Sequence, residues 1–295
     1  MNRFTLRAPA KLNLLLGVSS HVSYGRHTLI SIYSTIDLGD YLSFSFDGSQ
    51  KREITIEVVS SPGIAPLNLP TEQNIVYKAI TTLEAISGRK LDGHLKILIE
   101  KSIPYEAGLA GGSSDAAATL LALASIWSID PFGLPVLEAA QKLGADVPYF
   151  LYGGCLLMGG GGDKFIRRLP QPSLDLVLVK PEAGISTAAA YAAFDADPQP
   201  VPSSQRLVLM LESKNAPRQL IAEQLANNLS KAAYSLLPEL ETLTDEIAVQ
   251  SGVHKALITG SGSAVFGVCE SAEVALRIAA EFTEKGYWST AAMTV

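Results

Sequence analysis

A chain of 295 residues, 47% hydrophobic and 18% charged, is long enough for two cores and too apolar to be disordered. Its formal net charge of -6 argues against a general nucleic-acid surface, which needs a basic face, but not against a local pocket for an anion. Cys155 and Cys269 are too few for a disulfide framework and stand in no metal-ligand spacing, so both read as free thiols of a reducing compartment.

The opening MNRFTLRAPAKLNLL carries no export signal. The longest uncharged apolar run, between Asp115 and Asp130, is too short and too rich in Ala, Ser and Thr to span a bilayer. A cytoplasmic protein with neither a membrane nor a nucleic-acid partner is expected. YLSFSF (41–46) and LKILIE (95–100) alternate as half-buried strands. Between them, the run from Asn74 sets Val76, Ile80, Leu83 and Ile86 at helical spacing, with Gly88 as a stop. A glycine-rich loop and a helix to about Trp127 follow, then a helix over 134–144. GGGGDK (159–164) is the clearest break in composition and sets a boundary between domains 1–160 and 161–295. Beyond it, LDLVLVK, STAAAYAAF, PELETLTDEIAVQ, KALITG, AVFGVC and SAEVALRIAAEFTEKG alternate strand and helix. They predict an antiparallel sheet with helices on one face, so the fold class is α+β. PQPVPSSQ (198–205) reads as a surface connection.

The glycine-rich loop, IPYEAGLAGGSSDAAATLLAL from Ile103, carries most of the chemistry. Gly108, Gly111 and Gly112 permit unusual backbone angles and close approach; Ser113 or Ser114 suits an N-cap, and Asp115 the first turn. A collar of N–H groups at a helix start is an anion site. It is not a Walker A loop, because GGSSD has no lysine. Nor is it a dinucleotide fingerprint: glycines would be needed at 108, 110 and 113, where the chain has Gly108, Ala110 and Ser113. A glycine-rich turn with no ligand is the plain alternative.

Three further stretches bear on that choice: PAKLNLLLGV, with Lys11 and Asn13 in an apolar strand; LGADVPYFLYGG, with Asp146 after a helix; and ITGSGSAVFGV, a second Gly/Ser turn. In this order, with the run Pro104 to Ser114 between the first two, they resemble the motifs of the GHMP small-molecule kinases. With HTLISIYSTIDLGDYL and NIVYKA they cover nearly the whole length and are most similar to the branch acting on a cytidine diphosphate-linked polyol. The resemblance implies a two-domain α+β fold, ribosomal-protein-S5-domain-2-like then ferredoxin-like, the second domain completing the substrate cleft. It implies ATP- and Mg²⁺-dependent phosphorylation of the polyol's 2-hydroxyl in non-mevalonate isoprenoid precursor synthesis, by a monomer or homodimer. The alternatives are a kinase for another small alcohol, mevalonate-type or sugar, and a non-catalytic nucleotide-binding module.

For the site, the resemblance implies that Pro104, Tyr105, Glu106, Ala107, Gly108, Leu109, Ala110, Gly111, Gly112, Ser113 and Ser114 bind ATP, with the main-chain N–H groups from Gly108 to Ser114 holding its phosphates. Ser113 or Ser114 is a candidate Mg²⁺ ligand. Asn74 and Lys101 would lie near the adenine, although Asn74 reads equally as a helix cap. Asp146 is the candidate general base, with Lys11 keeping it ionised and touching the transferring phosphoryl group. The plainer reading makes Asp146 a cap for DVPYF and Lys11 a strand residue. Asn13 shares a strand face with Lys11 and would bind the acceptor or satisfy buried backbone. His27 and Tyr33 fall at cytidine-pocket positions, and Tyr191 matches a second aromatic position there or is simply a core residue. The chain departs from the family's Asp-Gly-Tyr-His at Tyr24-Gly25-Arg26-His27: Arg26 replaces a stacking tyrosine and can stack on a base or meet the substrate's diphosphate. Ala110 stands where glycine is commoner.

Overall fold

A computed structural model describes residues 2–23, 25–66, 69–213 and 216–295. They form two compact units: Met1–Ala10, Leu38–Tyr105 and Ala110–Gly153 make the first, and Lys11–Asp37, Glu106–Leu109 and Gly154–Val295 the second. Two strands of 22 residues, β1 (Asn2–Ser23) and β2 (Arg26–Asp47), contribute to both. The chain thus passes between the units repeatedly, for the last time at Gly153 and Gly154.

In the first unit, β3 (Glu53–Ser60) pairs in parallel with β4 (His94–Lys101). That strand in turn lies antiparallel to β2, from Tyr41 opposite Glu100 to Asp47 opposite His94. Leu95, Ile97 and Ile99 are buried while Lys96 and Glu100 are exposed, the period-2 alternation that a sheet with one covered face requires. Helix α1 (Ile75–Ser87) packs on α2 (Gly111–Ile126) and α3 (Leu134–Leu143), and α2 also on α4 (Val147–Tyr152). In α1 the buried face is Val76, Ala79, Ile80 and Leu83, and Gly88 ends the helix at φ +68°. Helix α2 has no polar stripe: its small residues are buried nearly all round, from Ser114 to Ala124.

In the second unit, β5 (Cys155–Gly159) pairs with Ser31–Ser34 of β2 and with β6 (Lys164–Arg168). Next come β7 (Asp175–Lys180), α5 (Thr187–Ala196), α6 (Gln205–Glu212) and α7 (Arg218–Glu223). The short β8 (Ala226–Asn227) runs parallel to Leu15 and Leu16 of β1. Helices α8 (Ser230–Leu236) and α9 (Glu239–Ala248) lead into β9 (Val253–Ile258), β10 (Val265–Cys269), α10 (Ala272–Glu284) and β11 (Trp288–Met293). A second sheet, in the order β11-β7-β10-β9, is antiparallel throughout, as expected from the alternating pattern. Val177, Val179, Ile258 and Val265 of that sheet pack with Leu240, Leu243, Ile278 and Phe282 from α9 and α10. The opposite face, with Leu176, Leu178 and Phe266, is buried too, which is why β7 reads as a continuous apolar run. Residues 35–37 meet the segment 293–295: Thr35 Oγ1 donates to the Val295 carbonyl (2.6 Å), and the Met293 amide to Asp37 Oδ1 (2.7 Å).

Cys155 and Cys269 are free and buried, and burial pushes their thiols up to about 12 and about 11. No helix among the described residues is long and apolar enough to cross a membrane.

Candidate functional site

The glycine-rich loop leaves β4 after Lys101 and turns three times through left-handed backbone, at Glu106 (φ +52°), Gly108 (φ +73°) and Ala110 (φ +58°). Gly108 is forced to lack a side chain by its surroundings: a Cβ there would stand 2.1 Å from the Thr259 carbonyl oxygen. The stretch Glu106–Leu109 belongs to the second unit, and its carbonyls are bonded within that unit. Glu106 accepts from the Ser263 amide (3.0 Å), Ala107 from the Ala264 amide (3.1 Å) and Leu109 from the Lys11 amide (3.2 Å). The second Gly/Ser turn therefore serves as a rack for the first.

Helix α2 begins at Gly111, with Ala110 at the N-cap and no side-chain capping bond. This corrects the expected cap: Ser113 and Ser114 lie inside the first turn, because left-handed Ala110 starts the helix two residues ahead of Ser113. The Ser114 amide makes the first intrahelical bond, to the Ala110 carbonyl (3.0 Å), so the amides of Gly111, Gly112 and Ser113 have no intrahelical acceptor. Beside them the Ser114 Oγ is buried with no partner. A positive helix end, open amides and an unsatisfied hydroxyl form a donor set that fits phosphate oxygens.

Lys101 is 3% exposed, with its ammonium shared between Asp40 and Asp115 (2.7 Å to the latter) and set over the Tyr105 ring at 5.5 Å. Asp40 also takes the amides of Ser102 (2.6 Å) and Ile103 (2.9 Å) on its other oxygen. This triad fixes the strand end before the loop to the helix turn after it. Burial lowers the Lys101 pKa, and the two carboxylates more than reverse that, so it rises overall. Asn74 caps α1, its side chain accepting from the Val76 amide at 2.9 Å.

In the second unit, Lys11 and Asn13 point the same way along β1 and are 3% and 1% exposed. The Lys11 ammonium donates to Asn13 Oδ1 (2.6 Å) and sits 5.2 Å from the Tyr33 ring centroid. Asn13 Nδ2 donates to Ser31 Oγ (2.9 Å), and its amide to Thr259 Oγ1 (3.1 Å). The lysine is thus held by a polar chain rather than snorkelling to solvent. Asp146 stands at the N-cap of α4 but makes no capping bond, so the plainer reading of it as a cap for DVPYF is not realised.

The His27 ring lies 5.2 Å from that of Tyr191, tilted by 43°, and edge-on to Phe194 at 6.1 Å. His27 Nδ1 donates to the Ser19 carbonyl (2.9 Å), and Nε2 faces Asp195 Oδ1 at 3.2 Å. Tyr33 groups with Lys11 instead. Tyr24 and the Arg26 side chain lie outside the described residues. A surface groove of about 560 Å³, lined by residues including Phe4, Phe44, His94 and Lys96, contains none of the expected site residues.

Sequence reasoning assigned no role to Asp40, Thr259 or Ser263. The last two lie in ITGSGSAVF, where the glycine-serine spacing was the available signal; Asp40 gave only a charge interrupting an apolar strand.

Two family models match the chain, GHMP kinases N terminal domain over residues 74–154 and GHMP kinases C terminal over residues 211–287. The chain belongs to the GHMP kinase family. It is 35% identical over 281 residues to a 4-diphosphocytidyl-2-C-methyl-D-erythritol kinase of Pelotomaculum thermopropionicum, covering 94% of this chain and 93% of that one. It is 37% identical over 288 residues to the kinase of the same name from Nocardia farcinica, covering 95% and 90%. A crystal structure of a 4-(cytidine 5'-diphospho)-2C-methyl-D-erythritol kinase superposes with a TM-score of 0.78 at 29% identity, covering 99% of both chains. Homoserine kinase from Cytophaga hutchinsonii, at 19% identity and a TM-score of 0.73, shares the GHMP kinase fold.

Proposed function

We propose that this GHMP kinase phosphorylates the 2-hydroxyl of 4-diphosphocytidyl-2-C-methyl-D-erythritol with ATP, in the cytoplasm, as a step of non-mevalonate isoprenoid precursor synthesis. The observation that carries the reading is identity of 35–37% along nearly the whole length to kinases of that name.

Magnesium-bound ATP supplies the γ-phosphoryl group. The amides of Gly111, Gly112 and Ser113 hold its phosphate oxygens, and the dipole of α2 favours their charge. Ser114 Oγ, buried and unsatisfied, would hold a magnesium ion, which would offset phosphate charge when bound. Asp146, at the N-cap of α4, takes the proton of the acceptor hydroxyl. Lys11, oriented by Asn13 and Tyr33, offsets charge on the transferring group. The rings of His27 and Tyr191 stack on the cytosine, and Arg26 meets the diphosphate. Lys101 serves this scheme by fixing both ends of the loop.

An assay of ADP release with this acceptor, run beside mevalonate, homoserine and a sugar panel, tests the reading. Turnover confined to the cytidine-linked polyol is expected. Binding of ATP with no turnover of that acceptor would sink it.

A further inference from the structure

Lys180 ends β7 and is 7% exposed. Its ammonium donates to the main-chain carbonyls of Pro181 (2.8 Å), Glu182 (3.2 Å) and Ala183 (3.4 Å). Three consecutive carbonyl oxygens turned onto one point are the kind of nest a monovalent cation occupies; here a tethered ammonium, with three donors, fills it. Without a positive charge at the centre, the three dipoles would repel one another and the turn would open.

The turn has a second set of contacts. The Ala183 carbonyl also accepts from Ser263 Oγ (2.8 Å), and the Ser263 amide donates to the Glu106 carbonyl (3.0 Å). The next residue, Gly184, lies under the Glu106 side chain: a Cβ there would stand 2.3 Å from Oε2. Glu106 is one of the non-glycine residues held at positive φ, a conformation that persists only where neighbours impose it. Those neighbours are Ser263 and the 181–184 turn.

We propose that Lys180 is a positioning residue for nucleotide binding: its ammonium folds the 181–183 turn, which through Ser263 and Gly184 holds Glu106 and sets the loop leading into Gly108. The proposal rests on the reading that the loop running from Gly108 to Ser114 holds ATP phosphates. A further consequence is electrostatic. Burial lowers the Lys180 pKa, while the carboxylates of Glu106 and Glu182 act in the opposite sense. The same charge therefore offsets a carboxylate carried by a loop that must receive an anion.

The test uses the full chain with Lys180→Met, Lys180→Arg and Lys180→Ala, reading ATP affinity by calorimetry, KM for each substrate, and melting temperature. Lys180→Met is expected to weaken ATP roughly tenfold while the acceptor KM stays within about twofold, a split that general destabilisation would not give. Lys180→Arg, which keeps the charge, recovers part of the affinity. So does Lys180→Ala in ammonium or methylammonium chloride, but not in tetramethylammonium chloride at equal ionic strength. Folded variants that bind ATP as the wild type does would overturn the proposal alone. Wild-type protein that binds no ATP would overturn the phosphate-loop reading and this one with it. If the Lys180 variants fail to fold, Ser263→Ala cuts the same connection further along and must show the same selective loss; unchanged ATP affinity there overturns the proposal.

Discussion

Lys101 and Asp115, fourteen residues apart in the chain, share a buried ion pair of 2.7 Å. Asp40 completes a group of one ammonium and two carboxylates. Asp40 has amide donors as well, whereas Asp115 Oδ1 has no partner, so the surplus negative charge falls on Asp115. Burial pushes its carboxyl from the ordinary 3.8 up to about 7, with Lys101 pulling the other way. Between those values the folded chain keeps a proton that the unfolded chain has lost. The stabilisation is therefore full below the unfolded pKa and disappears as pH rises through about 7. Urea midpoints of the wild type should fall between about pH 4 and about pH 7 more steeply than those of Asp115→Asn, and level off above; parallel curves would refute the assignment. Lys101→Met, which strands two buried carboxylates, should cost roughly 3–5 kcal/mol.

Asp146→Asn should lower kcat by about 10²–10⁴ and leave ATP affinity within about twofold. Steady-state kinetics beside calorimetry separate the two effects. Retained kcat would mean that Asp146 takes no proton.

Gly108→Ala puts a methyl group into the Thr259 carbonyl at a φ of +73°. A loss of about 2 kcal/mol or more is expected in denaturant melts, together with a raised KM for ATP. A variant as stable as the wild type would show that the two turns are not in close contact.

Ser114→Ala removes a hydroxyl that is buried and unsatisfied, so stability should stay level or rise, within about 1 kcal/mol. Magnesium-ATP affinity should nevertheless fall. Loss of stability without loss of affinity would give the hydroxyl a structural role instead.

His27→Ala and Tyr191→Leu each delete one ring of a pair 5.2 Å apart. Each should raise KM for the cytidine-linked acceptor by about 1–3 kcal/mol equivalent, leaving KM for ATP alone. Equal effects on both substrates would remove the pair from base recognition.

The local rules of the chain were legible. Asn74 as a cap, Gly88 as a stop and the alternation of Leu95, Ile97 and Ile99 follow from side-chain chemistry within a few residues. The start of α2 was misplaced because a serine cap is the commoner device, and left-handed Ala110 is held by contacts that spacing does not reveal. Asp40 and Lys180 were invisible for a related reason. One is paired with a residue 61 positions away, and the other folds a turn onto itself, which no periodicity records. The continuity of β1 and β2 over 22 residues each was missed as well, since burial in two units breaks the simple alternation.

Thr35, Ile36 and Asp37 are joined to Val295, Thr294 and Met293 by main-chain and side-chain bonds. During translation those early residues must wait, their partners unmade, until the segment 293–295 leaves the ribosome. The second unit therefore closes late, across the 260 positions that separate Thr35 from Val295, and its assembly should be slow.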